Sequence, residues 1–273
     1  MTARLSVSTW SLHRTLGRPT PYGPGDAGPR PILPDGRSLA LLELPARLAE
    51  FGIHTLEICH FHLPSLEPAY LDRLRQALEA AEIELFSLLI DAGDLSDPIC
   101  QEQHMAWMAG WIDVASRLGA RCARVSAGKA APSPETLELS RQALQRLALY
   151  ARSRQIRLMT ENWHALLSTP TAVLHLLEAL DGELGLCLDF GNWRGDHKYA
   201  DLAAIAPRAE SCHAKCHFSG PGEMDREDFV RCLDITRAAG FQGPYTLIYD
   251  GPDDDEWAGL EQERAVVAPY LTA

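Results

Sequence analysis

Eight short runs of β-branched and apolar residues alternate with longer amphipathic stretches along this chain of 273 residues. That alternation limits the fold more than any other feature. The runs are Arg4–Thr9, Thr55–Cys59, Glu84–Ile90, Cys122–Ser126, Ile156–Thr160, Leu184–Leu188, Ser211–Cys216 and Tyr245–Tyr249. Between them, Leu71–Ala81 sets Leu71, Leu74, Leu78 and Ala81 on one helical stripe, and Ala106–Leu118, Glu135–Arg152, Pro170–Ala179 and Asp225–Ala239 read the same way. Strands separated by helices pair in parallel through crossover connections, and eight such units close a (β/α)8 TIM barrel. An open doubly wound sheet is the competitor, weakened because no GxGxxG follows the first run. The expectation is an α/β protein with one TIM-barrel domain over residues 1–273.

Helix ends are punctuated accordingly. Ser133-Pro134-Glu135 and Thr169-Pro170 put a capping hydroxyl before a first-turn proline. Gly52, Gly119 and Gly240 follow helical runs and suit left-handed C-terminal caps. One segment breaks the rhythm: His13 to Ser38 holds six prolines and five glycines and has no periodicity. An insertion after the first strand rises from the C-terminal face of a barrel, where active sites sit. It reads either as a lid or binding loop, or as a contact between copies of the chain in a homo-oligomer.

Charge and cysteine usage narrow the function classes. With 25 Lys+Arg against 37 Asp+Glu, the net charge of −12 argues against binding nucleic acid, whose phosphates call for basic residues. No apolar run approaches membrane-spanning length and no secretory signal opens the chain, so no membrane partner is expected. Seven cysteines without a CxxC pair read as reduced packing thiols of a cytoplasmic protein. Neither a Gly-x-Ser-x-Gly elbow nor a P-loop is present.

In a barrel, polar residues at strand C-termini are the catalytic candidates. The fifth strand ends in Thr160-Glu161-Asn162-Trp163-His164, the sixth in Leu188-Asp189-Phe190-Gly191-Asn192-Trp193, and the seventh contains His213-Ala214-Lys215. Taken singly, Glu161 or Asp189 is more often a helix cap or a solvated carboxylate, and His213 a core histidine. Together on consecutive strands, two carboxylates and an imidazole form a credible site for a divalent metal.

These residues carry a family resemblance. Glu161-Asn162, Asp189-x-Gly191, His213-x-Lys215, the Gly222-Glu223-Met224-Asp225 turn and Gly240-Phe241-x-Gly243-Pro244-Tyr245 resemble, in order and spacing, the xylose isomerase-like barrels. That family is also described as sugar phosphate isomerases/epimerases and AP endonuclease family 2. The resemblance implies that Glu161, Asp189 and His213 bind a divalent ion (Mn²⁺, Mg²⁺, Co²⁺ or Zn²⁺) that holds vicinal oxygens of a small carbohydrate-like substrate. It further implies isomerisation or epimerisation through an enediolate, with Glu161 moving the proton and Lys215 able to meet an oxyanion or an acidic group.

Three positions depart from the family pattern. Ile248 stands where a last-strand glutamate is usual, Asn192 where a histidine is common, and Cys216 where an acid often follows the lysine. Asp250 shares the strand face of Ile248 but lies about 6.6 Å further out, within reach of a metal through a water. Loss of that glutamate weakens a two-base epimerisation and leaves one-base isomerisation, or dehydration of a keto-polyol by a lyase. A degenerate, non-catalytic sugar-binding barrel is the third reading, and an abasic-site nuclease is disfavoured by the charge.

Further candidates surround these. Glu57 can face the barrel, and His60 and His62 can reach the mouth and contact substrate. Asp91 and Asp94 end the third strand, and Lys129 after the fourth can attract an anion. Trp10, Trp163 and Trp193 can wall the pocket or stack on a sugar, with Asn192 beside them. Cys212 and Cys216 have the opposite parity to His213 and should face the helix layer, and Asp253-Asp254-Asp255-Glu256 reads as a solvated loop.

Overall fold

The computed structural model describes residues 3–29, 38–252 and 254–271. Eight parallel strands close on themselves in chain order: β1 (Arg4–Ser8), β2 (Thr55–Cys59), β3 (Glu84–Ile90), β4 (Cys122–Val125), β5 (Arg157–Glu161), β6 (Gly185–Asp189), β7 (Ala209–Lys215) and β8 (Pro244–Ile248). Each is followed by a helix: α1 (Leu44–Phe51), α2 (Pro68–Ala80), α3 (Gln101–Leu118), α4 (Pro134–Ser153), α5 (Pro170–Ala179), α6 (Lys198–Ile205), α7 (Arg226–Ala238) and α8 (Glu256–Val267). The fold is the (β/α)8 barrel that the alternation predicts.

The helix stripes bury as their spacing requires, with Leu71, Leu74 and Leu78 of α2 inside. Ser133 opens α4 with a capping box, Thr169 accepts the Ala172 N–H at the start of α5, and Gly52 (φ 79°) and Gly119 (φ 76°) close α1 and α3 in the left-handed region. Alternate strand residues turn inward. Phe86, Cys122, Met159 and Cys187 pack together inside the barrel, while Cys212 and Cys216 join the outer core against the helices. Below this interior layer, Arg4 bonds Glu84 (2.7 Å) and Arg157 bonds Glu210 (2.5 Å) near the N-terminal strand ends.

Two features differ from the sequence reading. Within the acidic run, Asp255 caps α8 through the Ala258 N–H and Glu256 is buried; Asp253 lies outside the described residues. Glu256 accepts the backbone N–H groups of Arg14 (2.9 Å) and Thr15 (2.8 Å), which is why this acid is drawn in from solvent. The loop after β1 is thereby tied down: Tyr22 O meets the His60 ring at 2.8 Å, and Ser11 Oγ donates to Leu247 O and accepts from Tyr249 N. Residues 30–37 of the Pro/Gly-rich insertion lie outside the described residues.

One buried charge carries a stability prediction. Glu263 of α8 is fully buried, and burial together with the Asp250 carboxylate pushes its carboxyl well above the usual 4.5, outweighing the Cys216 backbone and Lys215. The unfolded chain then gives up this proton more readily than the folded one, so this group erodes stability as pH rises from about 4.5 through its raised folded value. Glu263→Met is expected to stabilise the fold by about 1–3 kcal/mol. The gain should be larger at pH 8 than at pH 5 in thermal melts; an equal shift at both pH values would contradict it.

Candidate active site

A cavity of about 280 Å³ opens at the C-terminal ends of the strands. Its walls are of two kinds. Asp91, Arg124, Glu161, Asp189, His213 and Lys215, from β3 to β7, make one side polar. Trp10 and Phe61, from the turns after β1 and β2, with Cys59 of β2, Leu89 of β3 and Ile248 of β8, make the other apolar.

On the polar side, three side chains are each held by one atom and present another inward. Glu161 Oε1 accepts from Asn192 Nδ2 at 2.6 Å, leaving Oε2 free of hydrogen bonds. Asp189 Oδ1 accepts the N–H groups of Gly191 (2.6 Å) and Asn192 (2.8 Å), leaving Oδ2. His213 Nε2 meets Glu57 Oε2 at 2.8 Å from across the barrel, leaving Nδ1. His213 Nδ1 stands between the other two, 3.6 Å from Glu161 Oε2 and 3.7 Å from Asp189 Oδ2. Register brings them together, since Asp189 pairs directly with His213, and Asn162 ties β5 to β6 through both the N–H and the carbonyl of Asp189.

That arrangement fits a divalent ion. Oxygen and imidazole ligands at roughly 2.0–2.2 Å stand about 3–3.7 Å apart around a metal, and a ligating histidine ordinarily gives its second ring nitrogen to a carboxylate, as His213 does to Glu57. Cys187 Sγ lies within 4.8 Å of Glu161 and His213 ligand atoms, at the floor of the same cluster.

Arg124 escaped the sequence reading. It is buried with a relative exposure of 4% on β4, Nη2 bonds Asp91 Oδ1 (2.5 Å), Nε stands 3.1 Å from Glu161 Oε2, and the Trp163 ring covers it at 5.3 Å. Its signal was available: a lone charged residue two positions from inward-facing Cys122 must also face inward. Burial alone would raise the Glu161 carboxyl, but Arg124 and His213 outweigh it and hold the group ionised. Burial disfavours a charged His213, yet Cys187, Glu161 and Glu57 overcome that and raise it.

Lys215 lines the cavity, and its Nζ bonds Asp250 Oδ2 at 2.6 Å. Burial opposes its charge, but Asp189 and Asp250 outweigh burial and keep it an ammonium. Its stem crosses Gly191 so closely that a Cβ there would stand 2.7 Å from Lys215 Cδ, so a side chain at 191 would push the lysine stem aside. Asp250 therefore faces Lys215 in a neighbouring hollow shared with Gly191 and Lys198.

Of the other candidates, Trp163 and Asn192 line the cavity with Glu161. His60 and His62 do not line it: both are fully buried, with His60 between Tyr22 O and the Asp91 N–H and His62 between Thr9 Oγ1 (3.0 Å) and His13 Nδ1 (3.1 Å). Lys129 is exposed on the loop after β4, and Trp193 is buried, donating Nε1–H to Leu167 O.

A closed eight-stranded barrel with carboxylate, imidazole and ammonium groups gathered at its strand C-termini defines the class. Within it, the chain belongs to the xylose isomerase-like TIM barrel family, whose sequence pattern matches residues 45–268. Solved structures share the fold at low identity. A D-allulose 3-epimerase from Methylomonas sp. superposes with a TM-score of 0.70 at 17% identity, covering 99% of this chain and 98% of that one. A xylose isomerase-like TIM barrel protein from Mycobacterium smegmatis in complex with magnesium gives 0.68 at 15% identity over 98% and 97%. A probable 3-DHS dehydratase from Bacillus anthracis gives 0.69 at 14% over 97% and 98%. No curated protein matches the chain by sequence.

Proposed function

We propose that this protein is a metal-dependent isomerase of a small sugar or sugar acid. The reading rests on His213 Nδ1 standing within 3.6 Å of Glu161 Oε2 and 3.7 Å of Asp189 Oδ2, each side chain oriented by a partner on its other atom. These three residues would hold a divalent ion, which when bound polarises a substrate carbonyl oxygen. Glu161 would take the proton from the carbon beside the carbonyl and return it to the carbonyl carbon, while the hydroxyl proton passes to the former carbonyl oxygen, with Asn192 fixing the angle of the Glu161 carboxylate. Lys215, locked as a cation by Asp250, offers positive charge to the developing enediolate oxygen. Trp10 and Trp163 give the sugar's apolar edge a surface to lie on.

The cavity's asymmetry selects among family-like reactions. Proton-transfer groups occupy one side, and Ile248 faces them from the other, so a step that protonates the opposite face of the substrate has no acid there. The same one-sidedness favours, as a second reading, removal of water from a keto-polyol after the shared proton abstraction.

Incubation of the Mn²⁺-loaded protein with a panel of ketoses and keto-acids in D2O separates the readings by product mass. Isomerisation keeps the mass apart from exchanged deuterium; dehydration lowers it by about 18 Da. A metal-loaded protein that exchanges no carbon-bound hydrogen with any panel member would overturn both.

A further inference from the structure

One oxygen at the site faces two nitrogens at once. Glu161 Oε2 stands 3.1 Å from Arg124 Nε and 3.6 Å from His213 Nδ1, so the atom best placed to ligate a metal already has a guanidinium against it. That guanidinium is not a mobile surface group. It is buried, its Nη2 is fixed by Asp91 at 2.5 Å, and Trp163 covers its face. Arg124 Nε and Nη1 and Glu161 Oε2 are all buried without a hydrogen bond. Buried polar atoms normally find partners, and here Arg124 Nε and Glu161 Oε2 meet only as an ion pair without hydrogen-bond geometry.

We propose that Arg124 is a positioning residue that competes with the divalent ion for Glu161, making the metal at this site weakly held and exchangeable. The inference rests on the metal site of the preceding section and goes beyond it. A fixed positive charge close to a carboxylate oxygen lowers that oxygen's affinity for a second cation, and burial of the pair weakens solvent screening. The cavity adds nothing on its far side to compensate, because Ile248 offers no ligand there. Asp91 sets the strength of the competition: while it shares Arg124, the guanidinium is only partly spent on Glu161.

Chelator-treated protein titrated with Mn²⁺ alone, followed by the loss of the free-ion electron paramagnetic resonance signal, tests this without any substrate. Arg124→Met should bind Mn²⁺ about tenfold more tightly than the parent, and Arg124→Lys, which keeps the charge, should stay within about threefold of it. Asp91→Asn should act in the opposite sense and weaken Mn²⁺ binding about tenfold, because Arg124 then has Glu161 as its main counter-ion. A merely structural arginine predicts that its loss loosens Glu161 and weakens binding. Unchanged or weaker binding by a folded Arg124→Met protein overturns the inference while leaving the metal site standing. Should Arg124→Met fail to fold, the two other variants decide: tighter binding by Arg124→Lys, or unchanged or tighter binding by Asp91→Asn, overturns it. Absence of Mn²⁺ binding in the parent and every variant overturns both this inference and the metal-dependent reading.

Discussion

Glu161→Gln is expected to leave the barrel intact and to remove turnover by about a thousandfold or more, the range associated with loss of a general base. The amide can still accept from Asn192 through its oxygen, so the side chain keeps its direction. Its nitrogen, however, replaces the oxygen that faces Arg124 Nε and His213 Nδ1, setting a donor against two nitrogens. On the proposed function, a ligand and a base are lost in one substitution. At about 1.4 kcal/mol per decade, a thousandfold loss is roughly 4 kcal/mol of transition-state stabilisation. Folding should suffer little, because Arg124 keeps Asp91 as its counter-ion. Steady-state rates and a Mn²⁺ titration on the same preparation check the point; a variant that retains more than a tenth of the parent's rate would remove Glu161 from the chemistry.

Ile248→Glu carries the second large effect, as a gain. Ile248 lines the cavity from β8, and its register partner on β7 is Lys215, whose ammonium provides a nearby counter-charge for a new carboxylate. A glutamate there adds an anionic oxygen on the side that now has none. Mn²⁺ affinity should rise about a hundredfold, in line with one added charged ligand in a partly buried site. A proton donor would then stand on the far face of the substrate, so products epimeric at the reacting carbon should emerge beside the isomer. Product stereochemistry by NMR decides this. Tighter metal binding without an epimer would mean that the apolar wall does not set the reaction's stereochemistry.

How much of this was legible in the sequence follows from the range of the interactions involved. The barrel was readable because its determinants are local: each strand run, helical stripe, Ser133 or Thr169 cap and Gly52 or Gly119 terminus is encoded within a few residues. Glu161, Asp189 and His213 were readable because strand ends of a barrel share one face. What the sequence did not reveal is set by contacts between distant strands. The Glu57–His213 bond spans 156 positions, and Arg124 owes its role to Asp91 and Glu161 on either side of it. His60 and His62 illustrate the converse error. An HxH pair at a strand end suggests a mouth, but a short helical turn over His60–His62 folds both rings inward beneath the β1 loop. Glu256 looked solvated as part of an acidic run, and only its 242-residue reach to the Arg14 N–H explains its burial.

That reach also bears on the order in which the protein is made. The loop bearing Trp10 and Pro21, which borders the cavity, is made before β2 to β8, yet its anchor at Glu256 and the β8 partner of β1 are made only after β7. A nascent chain can lay down β1 to β7 and most of the charged cluster while the cavity still lacks a wall and its loop lacks a tether. The complete cavity therefore requires β8 to close the ring and the start of α8 to hold the backbone of Arg14 and Thr15.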